Sequence, residues 1–353
     1  MSLKDEANKL QGMLNELNDT PVNIALFGQP GAGKSSLINK LIGTKLTEVG
    51  VETDKTDSEN SYQWLRDDYG LNIIDLPGYG TSKFPKDEFR KKFDILNKDL
   101  FLCVFSGKFR QEDSEFLNEL KSLKKECIFV SNKCDVLFDS EGKDSQSDLE
   151  KDIVDDLEGQ LLSRESVIFT SCKTELGLDH LSKEIMKRLE GAKRERWIRS
   201  GKAYSLEFLE NKREITKKQV WISAGISAAN GVNPIPGVDI SVDISILLLL
   251  FKSIKDSFGL NDIAIQKDKY KVFAPLAKSI SEYLTKEGVL LLIKKYATEQ
   301  TLKQFGKYIP LVGPVIAGSI GFAVTLSVGK SYLNDCYELA KGILEIDLKL
   351  GSK

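Results

Sequence analysis

The segment Gly28-Gln29-Pro30-Gly31-Ala32-Gly33-Lys34-Ser35-Ser36 constrains the fold of this 353-residue chain more than any other. An apolar run from Val22 to Phe27 precedes it, and Leu37-Ile38-Asn39-Lys40-Leu41-Ile42 follows. Strand, glycine-rich loop and helix in that order turn a G-x-x-x-x-G-K-[ST] spacing into a phosphate site. Gly28, Gly31 and Gly33 let the backbone curl so that amide N–H groups point inward. The helix starting near Gly33 adds its positive end. In such a loop Lys34 reaches the β- and γ-phosphate oxygens, the Ser35 hydroxyl ligates Mg²⁺, and Ser36 is a further nucleotide contact.

Three later elements narrow the ligand. Leu71-Asn72-Ile73-Ile74 predicts a strand delivering Asp75, which opens the D-x-x-G run Asp75-Leu76-Pro77-Gly78. There the Asp75 carboxylate holds the metal's water shell and the Gly78 amide meets the γ-phosphate. Leu100 to Ser106 and Glu126 to Val130 are continuous apolar runs, as in parallel strands buried on both faces. The second leads into Asn132-Lys133-Cys134-Asp135, an N-K-x-D element whose chemistry selects guanine. Asp135 accepts from N1–H and the exocyclic amine, the Lys133 stem lies over the base, and Asn132 ties the base loop to the phosphate loop. An adenine would leave Asp135 unpaired, which is costly. Ser171-Cys172-Lys173, after the run Ser166 to Thr170, resembles the S-A-K loop whose amides contact the guanine O6. GTP or GDP with Mg²⁺ is the expected ligand.

Two positions bear on hydrolysis. Between Thr47 and Asp57 a polar segment precedes an expected strand, Ser61 to Leu65. A threonine here closes over the γ-phosphate and gives Mg²⁺ a second hydroxyl; Thr53 and Thr56 both qualify, with Thr56 favoured on register. Tyr79 follows Gly78, where Ras-like enzymes carry a water-positioning glutamine. Slow basal hydrolysis is therefore expected, with a catalytic group supplied from elsewhere.

The remainder excludes other chemistry. Five scattered cysteines, Cys103, Cys127, Cys134, Cys172 and Cys336, form no C-x-x-C pair, which argues for a reducing compartment without a zinc site. One histidine, His180, is too few for His-based triads. The polar start Met1-Ser2-Leu3-Lys4 carries neither a secretory signal nor a myristoyl glycine, so a cytoplasmic, non-secreted protein is expected. Leu3, Ala7, Leu10, Leu14 and Leu17 predict an amphipathic helix before the first strand, broken at Thr20-Pro21. Asp139 to Asp156 reads as a solvated loop running into a helix.

Net charge is −2, yet residues 1–190 carry 26 Lys/Arg against 36 Asp/Glu and residues 191–353 carry 24 against 16. The basic half suits an anionic surface, or simply neutralises the acidic half. It also holds two uncharged windows, Gln219 to Val238 and Tyr308 to Gly329, both interrupted by Pro and Gly. Buried helices of an α-helical domain are favoured over a membrane-inserting hairpin or a spanning helix. The run Asp239 to Phe251 places two aspartates, Asp239 and Asp243, in its first turns, as suits a helix N-terminus.

The Gly-Lys-Ser-Ser loop, the Asp75-Leu76-Pro77-Gly78 form and two turns, Asn230 to Asp239 and Ile309 to Ile320, resemble the immunity-related (interferon-inducible) GTPases. The two turns discriminate most, and the likeness runs over nearly the whole chain. It implies a G domain joined to a helical domain built from both chain ends. It also implies nucleotide-dependent self-association through the G domains, catalysis completed across that dimer, and action at intracellular membranes. Glu52 is the residue the likeness offers as a trans-acting acid.

The expectation is thus an α/β P-loop GTPase domain at 21–190, an N-terminal helix at 1–20 and a C-terminal helical domain at 191–353. Lys34, Thr56, Gly78 and Glu52 are the catalytic candidates. Ser35, Thr56 and Asp75 are the metal ligands. The rival reading is a slow switch whose output is binding a protein or peripheral membrane contact, with hydrolysis as reset. An RNA-associated role ranks last, for want of aromatic-and-arginine signatures.

Overall fold

The computed structural model describes residues 3–43, 65–66, 70–79, 84–107, 109, 111–137, 145–161, 166–230, 243–260, 268–296 and 320–351. Glu52, Thr53, Thr56, the expected strand at 61–64 and nearly all of both Pro/Gly turns lie outside them. The chain divides into two compact units, Thr20–Lys202 and Met1–Asp19 with Ala203–Lys353. Helix α1 (Leu3–Asp19) belongs to the second.

Five parallel strands carry the first unit: β1 (Val22–Phe27), β3 (Leu71–Asp75), β4 (Leu100–Phe105), β5 (Cys127–Asn132) and β6 (Val167–Thr170). A short β2 (Leu65–Arg66) joins antiparallel to β3, giving the order β2-β3-β1-β4-β5-β6. Every residue of β4 is buried, as is all of β1 except Asn23, so these strands lack the alternation of a one-sided sheet. Because β1 lies between β3 and β4, the strand order reverses there. The crevice outside the carboxyl ends of the strands at such a reversal is where open α/β sheets bind ligands.

The unit's helices are α2 (Lys34–Ile42), α3 (Lys86–Lys92), α4 (Gln111–Ser122), α5 (Gln146–Leu161), α6 (Leu178–Arg188) and α7 (Gly191–Ser200). On one side of the sheet an aromatic cluster fills the core; the Phe27 and Phe116 rings meet edge-on with centroids 4.8 Å apart. Helix α5 buries only Ile153, Leu157 and Leu161, which fits the acidic run that leads into it.

One boundary moves. The basic stretch from Lys193 to Arg199 reads as the opening of the C-terminal half, yet α7 belongs to the sheet-bearing unit. Trp197 is fully buried and its Nε1 donates to Ser182 O at 3.0 Å. Lys202 N then donates to Leu41 O at 2.7 Å, closing the unit on the far end of α2.

In the second unit, α1 packs along α8 (Leu206–Asn230), burying Leu10 and Leu17. Helix α12 (Ile320–Gly351) is the other main neighbour of α8, with α9 (Ile244–Ser257), α10 (Ala274–Glu282) and α11 (Lys286–Tyr296) around them. Asp243 caps α9, its carboxylate accepting from Ser245 N at 2.9 Å and Ile246 N at 3.4 Å. The described part of each uncharged window is core: Val220, Ile222 and Ile226 of α8, and Phe322, Val324 and Leu326 of α12. Among the described residues no helix is long and apolar enough to cross a membrane.

Candidate functional site

The loop after β1 is shaped by close approach as much as by turning. At Gly28 φ is +118°, and a Cβ there would sit 2.2 Å from Val104 O on β4. At Gly33 φ is +91°, and a Cβ would sit 2.6 Å from Asn132 Nδ2. No other residue fits either position without displacing its neighbour. Helix α2 starts at the next residue, which sets its N-terminus at the loop.

Lys34 folds back over the loop. Its Nζ donates to Gly28 O at 3.0 Å and Gln29 O at 3.2 Å, and the residue is 9% exposed. Beside it, Ser35 Oγ donates to Asp75 Oδ2 at 3.0 Å, joining the first motif to the second across 40 residues of sequence. The other carboxylate oxygen, Asp75 Oδ1, is buried without a hydrogen-bond partner, 4.0 Å from Lys34 Nζ. Burial pushes the Asp75 carboxyl above the usual range, opposed by the Lys34 charge and the Ser35 hydrogen bond. A buried carboxylate with one oxygen unsatisfied, next to a serine hydroxyl, is an oxygen-donor set that suits Mg²⁺.

The base side is assembled from the ends of β5 and β6. Asn132 Nδ2 donates to Ala32 O at 2.8 Å, while its Oδ1 accepts from Thr170 Oγ1 at 3.2 Å and from the Cys172 thiol at 3.6 Å. The amide is thereby fixed in one orientation between the phosphate loop and the segment after β6. Burial lifts the Cys172 thiol to about 11, against the hydrogen bond to Asn132, so it remains a neutral donor. Lys133 adopts φ +65°, and both Lys133 and Asp135 are exposed at the mouth of this corner. Ser171 Oγ accepts from Lys173 N at 3.2 Å and Thr174 N at 3.1 Å, curling the loop back on itself.

Other contacts have no motif to announce them. Glu175 accepts from Lys40 Nζ at 2.7 Å and from Lys202 Nζ at 3.2 Å. Burial alone would raise this carboxyl; the two lysines carry it below the usual range instead. Gln29 Oε1 accepts from Ser106 N at 3.4 Å, and Thr170 holds Asn132 as described. Tyr79 turns to α4, where its hydroxyl donates to Glu119 Oε2 at 2.5 Å. Gly78 is exposed, directly after the buried pair Leu76 and Pro77.

The corner so built joins a helix N-terminus, a desolvated lysine, a serine–aspartate pair and an asparagine-braced second loop. Chemically it can hold a phosphate chain at one end and a base at the other. The sequence profile of the interferon-inducible GTPase (IIGP) family matches residues 2–318. The chain belongs to that family. Interferon-gamma-inducible GTPase 10 of Mus musculus is 24% identical over 354 residues, covering 95% of this chain and 84% of its own length. Interferon-inducible GTPase 5 of Bos taurus is 26% identical over 368 residues, covering 96% and 77%. Interferon-inducible GTPase 1 of Mus musculus is 27% identical over 271 residues, covering 72% and 65%. As a member of this family the chain is a GTP-binding, GTP-hydrolysing protein, and the match takes in the helical half as well as the sheet.

Proposed function

We propose that this GTPase uses Mg²⁺ and the residues of the corner above, hydrolyses GTP slowly as a single molecule, and is completed by nucleotide-dependent self-association. The observation that carries the reading is the double tether of the phosphate loop. Ser35 is bonded to Asp75 on one side, and Ala32 to Asn132 on the other. Lys34, already dehydrated, exchanges two carbonyl acceptors for β- and γ-phosphate oxygens. Ser35 and Asp75 would hold the metal, with Thr56, which lies outside the described residues, as the further ligand. Mg²⁺ when bound supplies positive charge to the β- and γ-phosphates. The Gly78 amide meets the γ-phosphate; Gly28, Gly31, Gly33 and Ser36 contribute to the phosphate cradle. Asn132, Lys133 and Asp135 read guanine, and the amides at Ser171, Cys172 and Lys173 meet its O6.

The attacking water needs a partner that the residue after Gly78 does not provide, since the Tyr79 hydroxyl is committed to Glu119. Glu52 of a second copy is the acid proposed for that role. Self-association then runs through the sheet-bearing units, which act as the G domain, with the helical unit as the second domain. Peripheral action at intracellular membranes is proposed for the basic, apolar C-terminal half. In that half Leu249, Val272 and Leu291 are 69%, 74% and 65% exposed. The same Tyr79 geometry supports a second reading, a slow switch whose output is partner or membrane binding and whose hydrolysis only resets it.

Nucleotide choice is tested by competition against a fluorescent GDP. GTP and GDP should displace it, ATP should be weaker by about 100-fold or more, and Asp135→Ala should erase most of that gap. Equal competition by ATP and GTP would contradict the assignment of the base corner.

A further inference from the structure

Tyr79 sits where a water-positioning side chain is common, yet among the described residues its ring and hydroxyl contacts point to α3 and α4. Its ring packs against Phe89 and Phe116, with centroids 5.2 Å and 4.8 Å away, the first contact edge-on and the second tilted, and those two rings also meet each other at 5.3 Å. Both partners are 1% exposed, so the tyrosine ring packs directly on the aromatic core of the sheet-bearing unit. Its hydroxyl donates to Glu119 Oε2 at 2.5 Å, and the other oxygen of that carboxylate accepts from Arg90 Nε at 2.9 Å. Lys86 Nζ lies 6.0 Å from the ring centre. Burial, then the Glu119 hydrogen bond and charge, raise the hydroxyl to about 12, so it stays a donor throughout the physiological range.

The upstream end of the same segment is equally fixed. Asp75 is bonded to Ser35, and Leu76 N donates to Leu26 O at 2.8 Å. Pro77, buried and with its φ restricted by the ring, leads into exposed Gly78. Gly78 therefore spans the short gap between two anchors, one on β1 and α2 and the other on α3 and α4.

We infer that Tyr79 and Glu119 are positioning residues that hold the Gly78 amide for the γ-phosphate, so that they set the preference for a triphosphate over a diphosphate. This rests on the reading of the corner as a GTP site. The two tethers differ in what they support. The upstream anchor shapes the site for both nucleotides, because it holds the phosphate loop itself. The downstream anchor bears only on the amide that meets the third phosphate. Arg90 serves by holding Glu119 in the conformation the hydroxyl needs.

The test compares the full-length parent with Tyr79→Phe, Glu119→Gln and the double variant, with Lys34→Ala as the blank. Each is titrated with GDP and with a non-hydrolysable GTP analogue in Mg²⁺ buffer. Tyr79→Phe keeps the ring in its aromatic slot, so it preserves folding where Tyr79→Ala would open a cavity. Each single variant should bind the analogue about 10- to 150-fold more weakly, the range for a hydrogen bond to a charged group. GDP affinity should stay within about twofold, and the double variant should be no worse than the weaker single. Equal losses for both nucleotides, no loss for either, or additive losses in the double variant would overturn the inference. Failure of the parent to bind GDP would instead strike the reading of the corner itself.

Discussion

At the scale of single residues the site is defined by what is left unsatisfied. Asp75 has one oxygen on Ser35 and the other buried without a partner, and burial raises its pKa. A carboxyl raised on folding binds its proton more tightly in the folded state than in the unfolded chain. Its contribution to stability is therefore present at low pH and lost as pH climbs from the ordinary carboxylate range through the raised value. Asp75→Asn lacks that loss. Without nucleotide or metal, its unfolding free energy should gain on the parent as the pH is raised from about 4 to about 7. Denaturant titrations at both pH values measure this, and a gap that does not change with pH would refute it. The same variant should lose Mg²⁺-dependent GTP binding. Lys34, Ser35, Asp75 and Asn132 are legible in the sequence because loop spacing and strand ends are local patterns. Thr170, Glu175 and Glu119 are not. Each acts on a residue at least 38 positions away, a pairing that only the packed sheet and its helices create.

At the scale of elements, patterns with a period were readable and those with mixed signals were not. Continuous apolar runs identify β4 and β5 as doubly covered strands, and both are buried along nearly all of their length. Charge suggests a helix with Asp243 inside its first turns; Asp243 instead stands just before α9 as its cap. Helix α7 misleads. Its run of Lys and Arg hides the fact that Arg196, Trp197 and Arg199 are 0%, 0% and 2% exposed. A basic helix usually faces water, and here tertiary packing overrides that expectation. Gly201 answers the same packing, since a Cβ there would lie 3.3 Å from the Trp197 ring. Trp197→Ala should cost about 3–5 kcal/mol in denaturant unfolding. A loss under about 1 kcal/mol, near the centre of ordinary substitutions, would show that α7 is not part of this core.

At the scale of the whole molecule, the family profile matches residues 2–318, which takes in the sheet-bearing unit and the helical unit as far as the start of α12. In that unit α12 comes close to its neighbours through small residues. A Cβ at Gly329 would meet Val220 Cγ1 at 2.7 Å, and the Phe251 and Tyr332 rings stack with centroids 4.0 Å apart. Such a core accounts for the described part of each uncharged window. The fold class was legible because four motifs fall at the carboxyl ends of β1, β3, β5 and β6. The manner of activation was not, because the residues proposed for it act between molecules. Turnover of GTP per molecule across a range of protein concentrations tests that claim most directly, with Lys34→Ala as the blank. The account predicts a specific activity that rises with concentration and a blank that stays flat. A slow rate that does not change with concentration, beside tight nucleotide binding, would contradict self-activation and leave the partner-driven switch.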